Sequence, residues 1–128
     1  ILYYLGQAGH GSQVLIADGN YPFSTGSLLS TPKVYLNLIP GVPTVTLVLE
    51  AILTVIEVEA VQVMIPADAV DPPIFNEFQR LISPSIPFIR LDRLGFYSEV
   101  KSTDTCLIIA TGEQRTYANI LLKIGVRT

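Results

Sequence analysis

Tryptophan is absent, and cysteine, methionine and histidine occur once each in 128 residues. With Cys106 alone, no intrachain disulfide can form, which fits a reducing compartment and a cytoplasmic location. One histidine and one isolated cysteine do not make a zinc ligand set, so no metal is expected. Cys106 lies in an apolar run, Thr105 to Ala110, and reads as a small buried hydrophobe. Charge is scarce too. Only 15% of residues are charged, against roughly 25% in soluble proteins generally. The net charge is −3, the eight basic residues are scattered, and the pI is near 4.9, so no nucleic-acid partner is expected. The longest apolar stretch, Thr44 to Pro66, is interrupted by Glu50, Glu57 and Glu59. Each of these is costly at bilayer depth, so no membrane partner is expected either.

Apolar residues, by contrast, are plentiful at 49%. A chain of 14.0 kDa forms one domain, residues 1–128, with a real core. A domain this small cannot hide so much apolar surface by itself, and interfaces between copies are the natural place for the rest.

The pattern along the chain alternates short apolar strands with helices. Ile1 to Ala8 reads as a helix tail stopped by Gly9, and Gln13 to Ala17 as a buried strand. Asp18 to Thr31 is a loop rich in Gly, Asn, Ser and Pro, and Tyr35 to Ile39 is a short apolar piece. Pro43 fits the first turn of a helix reaching about Val55, apolar on nearly every side and so buried on more than one face. Val58 to Ile65, Pro87 to Leu91, Thr105 to Ala110 and Tyr117 to Lys123 read as strands. Ile74 to Ile82 and Arg93 to about Lys101 read as helices, the second capped by Asp92. The expected class is α/β: a three-layer α/β/α arrangement around a central, mostly parallel or mixed sheet.

Two segments carry candidate chemistry. The first runs Gly9-His10-Gly11-Ser12, then the strand, then Asp18 and Pro22. An imidazole suits proton transfer near neutral pH, and flanking glycines allow close approach. A structural histidine is the alternative. The second runs Thr111-Gly112-Glu113, then Tyr117-Ala118-Asn119, then Gly125-Val126. On an extended segment Tyr117 and Asn119 share a face, and both can hydrogen-bond hydroxyl groups. A strand with a hydrated face would look the same. A dinucleotide site is not supported: the glycines precede the strand and the three-glycine pattern fails. Ser12 lacks the nucleophile elbow of a hydrolase.

Together the two segments resemble the RbsD/FucU family of sugar mutarotases, which spans ribose and fucose branches. The resemblance covers nearly the whole chain and implies the family's fold, with further residues before the first helix. It implies monosaccharide anomer exchange, and possible exchange of ring forms, by general acid–base ring opening without a cofactor. His10 would transfer the proton; Asp18 would hold a sugar hydroxyl or orient His10; Arg93, Tyr117, Ala118 and Asn119 would hold the sugar. It also implies a homo-oligomer, a decamer-like ring with the site near a subunit boundary. Arg93 with Phe96-Tyr97 resembles the fucose branch, and the second histidine common in the ribose branch is missing. The segment around Gly41-Val42-Pro43 looks more like the ribose branch. Ser12 stands where the family usually has Asp, which puts any role of that carboxylate in doubt. The expected substrate is L-fucose. D-ribose, or a non-catalytic role in sugar binding or transport, is the alternative. For Arg93 an ion pair with Asp92 or Glu99 is the structural alternative.

Overall fold

The computed structural model describes residues 1–128 as a six-stranded sheet in the order β2-β5-β1-β6-β3-β4. The strands are β1 (Gln13–Ala17), β2 (Lys33–Tyr35), β3 (Val58–Met64), β4 (Phe88–Leu91), β5 (Thr105–Ala110) and β6 (Ile120–Ile124). The helices are α1 (Leu2–Leu5), α2 (Val45–Leu53), α3 (Ile74–Leu81) and α4 (Arg93–Val100). Strand β1 runs parallel to β5 and antiparallel to β6, while β3 runs antiparallel to β6 and parallel to β4. With β2 parallel to β5, only β6 is reversed. The cause is its connection: a loop over residues 111–119, not a crossover helix, returns the chain from β5.

Side-chain alternation sends the central strands' residues to two cores. Val14, Ile16, Val61, Val63, Leu107 and Ile109 face one way, under α1, α2 and α3. Leu15, Ala17, Met64, Ile108 and Leu121 face the other, under α4 with Phe96 and Val100. The second core is smaller because one short helix covers only part of that face. Toward the start of β1 the same face turns polar, and Gln62 donates to Gln13 Oε1 at 2.9 Å.

Several elements differ from the sequence expectation. The first helix ends at Leu5 with Gly6 as its C-cap, so Gly9 does not stop it. Helix α2 begins at Val45, so Pro43 lies outside it, and Thr44 is the cap: its hydroxyl accepts the Leu47 N–H at 3.2 Å. That helix buries Val45, Val48, Leu49 and Ile52 but leaves Leu47 58% exposed, so only one face is covered within the chain. The short apolar piece after Thr31 pairs as Lys33–Tyr35 rather than through Ile39. The last strand starts at Ile120, three residues later than expected, because Tyr117 has φ 59 and leaves extended geometry. Cys106 is only half-buried, with its thiol toward Gln13 O at 3.3 Å.

The 111–119 loop is pinned at its start by close backbone approach. Gly112 donates to Pro43 O at 3.0 Å, and Gly41 donates to Gly112 O at 2.6 Å. A Cβ at Gly112 would collide with the backbone of Ile39 and Val42, so glycine is required there. Glu113 follows, only 4% exposed. Its carboxylate takes the Val45 N–H at 3.1 Å at the start of α2, and also Arg115. Arg115 continues to Glu77 of α3.

Candidate functional site

Five strands point their carboxyl ends to one edge, and the reversed β6 begins there. Ligand crevices in open α/β sheets form outside such an edge. Asp18 follows β1 directly and Asn119 precedes β6, so the sheet register sets them side by side. The Asn119 side chain accepts the Asp18 N–H at 2.8 Å and donates back to Asp18 Oδ2 at 3.1 Å. The Asn20 N–H reaches Asp18 Oδ1 at 2.9 Å, and Ala118 and Tyr21 N–H groups also face this carboxylate. Burial nevertheless holds the Asp18 carboxyl above its ordinary range, outweighing these donors.

These residues form one wall of an open depression of about 280 Å³ lined by Asp18, Met64, Arg93, Tyr97, Tyr117 and Asn119, together with Asn20, Tyr21 and Thr116. Clefts for drug-sized ligands run from about 300 Å³ upward, so this one suits a single small polar ring. Tyr117 holds a left-handed backbone conformation that costs a non-glycine residue about 1–2 kcal/mol. Such strain concentrates at ligand sites. Arg93 opens α4 beneath the Asp92 cap, whose carboxylate accepts the Gly95 N–H at 2.7 Å. It forms no ion pair with Asp92 or Glu99. Its guanidinium sits 5.6 Å from the Tyr97 ring centre, and its Nε donates to the Tyr97 hydroxyl at 3.3 Å. Phe96, by contrast, is wholly core. Tyr97 could be read from the i, i+4 spacing to Arg93; Met64 and Tyr21 gave no such signal, since each looks like core.

His10 lies at the opposite edge. It precedes β1 whereas Asp18 follows it, and five strand residues intervene, roughly 17 Å at the usual rise. Asp18 therefore does not orient His10 within one chain, and His10 does not reach the depression beside Asp18. The histidine sits at the tip of a tight turn: Ser12 N donates to Gly9 O at 3.0 Å and Gly11 has φ 88. That positive φ at the third turn position explains Gly11. The imidazole is exposed, and its Nε2 lies 2.8 Å from Glu59 Oε2. Beside it runs an open groove of about 600 Å³ with Leu2, Leu5, Val55, Ile56 and Val126 on its walls. Glu59 gave no signal in the sequence, being 49 positions away on another strand. No three or more His, Cys, Asp or Glu side chains come together as a metal site. No helix is long and apolar enough to cross a membrane.

Comparisons with known proteins identify the family. Residues 1–127 match the RbsD / FucU transport protein family. A D-ribose pyranase of Clostridium perfringens is 35% identical over 123 residues, covering 95% of this chain and 88% of that protein. The structure of Bacillus subtilis RbsD complexed with D-ribose superimposes with a TM-score of 0.86 at 25% identity, covering 99% of this chain and 92% of the other. The fucose mutarotase of Streptococcus pneumoniae in complex with L-fucose gives a TM-score of 0.83 at 26% identity, covering 99% and 91%. By match across nearly its whole length and by shared architecture, the chain belongs to the RbsD/FucU family.

Proposed function

We propose that this protein is a monosaccharide mutarotase whose site is assembled between copies, with L-fucose as its substrate. Its family includes enzymes named for action on ribose and fucose. The observation that carries the reading is the separation of two complementary half-sites on one sheet. The carboxyl edge offers a small polar cavity with Asp18, Arg93, Tyr117 and Asn119, the Ala118 backbone lying between the last two. The amino edge offers an exposed imidazole. A head-to-tail arrangement brings the His10 edge of one copy to the cavity of the next, and such contacts close as rings when the rotation permits. Exposed apolar side chains, among them Tyr35, Leu38, Ile39, Val42 and Leu47, supply surface for such contacts.

In the assembled site His10 takes the proton from the anomeric hydroxyl and delivers it to the ring oxygen as the bond from that oxygen to the anomeric carbon breaks. The ring opens to the aldehyde, and closure on the other face returns the other anomer. A positioned acid–base group contributes about 10²–10⁴-fold, enough for a reaction that already proceeds unaided. Tyr117 and Asn119 hydrogen-bond hydroxyls, and the Arg93 fork spans two neighbouring ones. Tyr97 and Met64 give an apolar wall for the methyl group of a 6-deoxy sugar.

D-ribose is the second reading, favoured by the higher overall identity to the ribose-named relative. Saturation-transfer NMR of L-fucose and D-ribose, with wild type and folded His10→Ala, tests both. The expected result is protein-dependent exchange, faster for fucose and lost in His10→Ala. Faster ribose exchange transfers the assignment to ribose. Binding of either sugar without accelerated exchange would make the protein a carrier rather than an enzyme.

A further inference from the structure

We propose that Glu59 is the positioning carboxylate of His10 and that Nδ1 is the ring nitrogen that exchanges the proton with the sugar. This rests on the reading of His10 as the proton-transfer residue. Four observations converge on it. Glu59 Oε2 is 2.8 Å from His10 Nε2, and His10 makes no other side-chain hydrogen bond. The Nε2–H therefore points at a carboxylate, and Nδ1 keeps its lone pair. Ser12, at the position where the family pattern carries a carboxylate, is turned away from the ring: its hydroxyl accepts the Gly9 N–H at 3.2 Å. The carboxylate beside the imidazole thus comes from β3 instead.

The backbone builds this pair rather than leaving it to two mobile side chains. Gly11 N–H donates to Ile124 O at 2.9 Å, which ties the His10 turn to the end of β6. Gly125 N–H donates to Glu57 O at 2.9 Å, which ties the same end of β6 to the start of β3. A Cβ at Gly125 would lie 3.1 Å from Glu59 Cβ, so the glycine lets β6 pass directly over Glu59. On the far side, Lys123 Nζ lies 3.7 Å from Glu59 Oε1 and holds the other carboxylate oxygen. Each oxygen of Glu59 has its own cation or donor. When His10 takes a proton at Nδ1 the ring becomes cationic against Oε2, and when it returns the proton the neutral Nε2–H form is restored. No group other than the sugar and the ring gains or loses a proton in this cycle.

In the isolated chain both members are partly exposed, at 59% and 36% of their side chains. Exposed pairs of this kind contribute little to stability. Glu59 is accordingly expected to act on turnover, not on folding. The test uses the purified assembled protein and the fact that the chain has one histidine, so its ring signals are unambiguous. Exchange NMR gives kcat and KM for the preferred sugar in wild type, Glu59→Ala and Glu59→Gln. Nitrogen-15 spectra above the ordinary imidazole titration range report the ring's hydrogen bonding. Light scattering confirms that assembly is retained.

The expected result is a kcat loss of about tenfold to a hundredfold in Glu59→Ala, with KM changed less than about threefold. Its ring should also lose the hydrogen-bonded Nε2–H signal. Glu59→Gln should fall between, since its amide oxygen still accepts the N–H but carries no charge. Unchanged kcat and unchanged ring signals in Glu59→Ala would overturn the proposal. If His10→Ala is inactive while Glu59→Ala is normal, only the role of Glu59 fails. If His10→Ala is active, the reading of the site itself fails.

Discussion

The two edges of the sheet are built in different ways. At the carboxyl edge, Asp18, Asn119 and the Ala118 backbone form a closed set of hydrogen bonds, with Asp18 3% and Asn119 4% exposed. At the amino edge, His10 and Glu59 meet on an open surface beside an apolar groove. Buried polar groups must be satisfied locally, so the first edge is fixed by folding of one chain. The second presents His10 and Glu59, the latter also paired with Lys123, on partly exposed side chains, so folding of one chain leaves it open. The carboxyl edge is preorganised within one chain; on the proposed reading, a neighbouring copy completes the amino edge.

The sharpest way to break this comparison is to separate the halves. His10→Ala and Tyr117→Ala are each expected to lose the catalysed exchange, a drop of about 10²–10⁴-fold. Unfolded together and refolded as mixed assemblies, they should regain about one quarter of wild-type activity, since each intact site needs one good edge from each variant. Mixtures as inactive as their components would place the whole site within one chain or abolish the assembly.

The next effect concerns what holds the binding half. Glu113→Ala removes the acceptor for Val45 N–H and the partner of Arg115, and should cost about 3 kcal/mol in urea unfolding. Burial raises the Glu113 carboxyl, but Arg115 together with the Val45 and Arg115 N–H groups brings it below the ordinary carboxylate range. A depressed carboxylate contributes stability above its unfolded pKa and loses it as pH falls through its folded one. The gap between wild type and Glu113→Gln should therefore be full at neutral pH and close in acid. A gap independent of pH would show that packing, not charge, holds the loop.

Smaller effects sharpen the substrate side. Arg93→Lys keeps the charge but loses the planar fork, and should weaken the preferred sugar about tenfold, roughly 1.4 kcal/mol, in NMR titration. An unchanged affinity would leave Arg93 as a partner of Tyr97 alone. Asp92→Ala removes the cap of α4 and should cost about 1 kcal/mol of stability, with a modest rise in KM because Arg93 and Tyr97 ride on that helix. A loss of stability without any change in KM would detach the helix start from the site.

Much of this was legible in the residues. The strand at Gln13 to Ala17, the helix capped by Asp92 and the strand at Thr105 to Ala110 follow from local apolar patterning and capping, which need no distant partner. Asp18, Arg93, Tyr117 and Asn119 were separate candidates, and they line one depression because β1 and β4 end at the same edge of the sheet, where the reversed β6 begins. The extended reading of Tyr117 to Lys123 failed at Tyr117, where the loop's anchoring at Gly112 and Glu113 forces a turn that propensity does not show.

The sequence by itself determined the elements, the apolar excess and the residue types able to handle a sugar, because periodicity, composition and short motifs are local properties. Only the tertiary structure decided that His10 stands across the sheet from Asp18 and that Glu59, from another strand, is its partner. Strand direction and register fix which end of β1 a residue occupies and what lies across from it. Those relations arise from pairing between segments distant in the chain, and no window of sequence contains them.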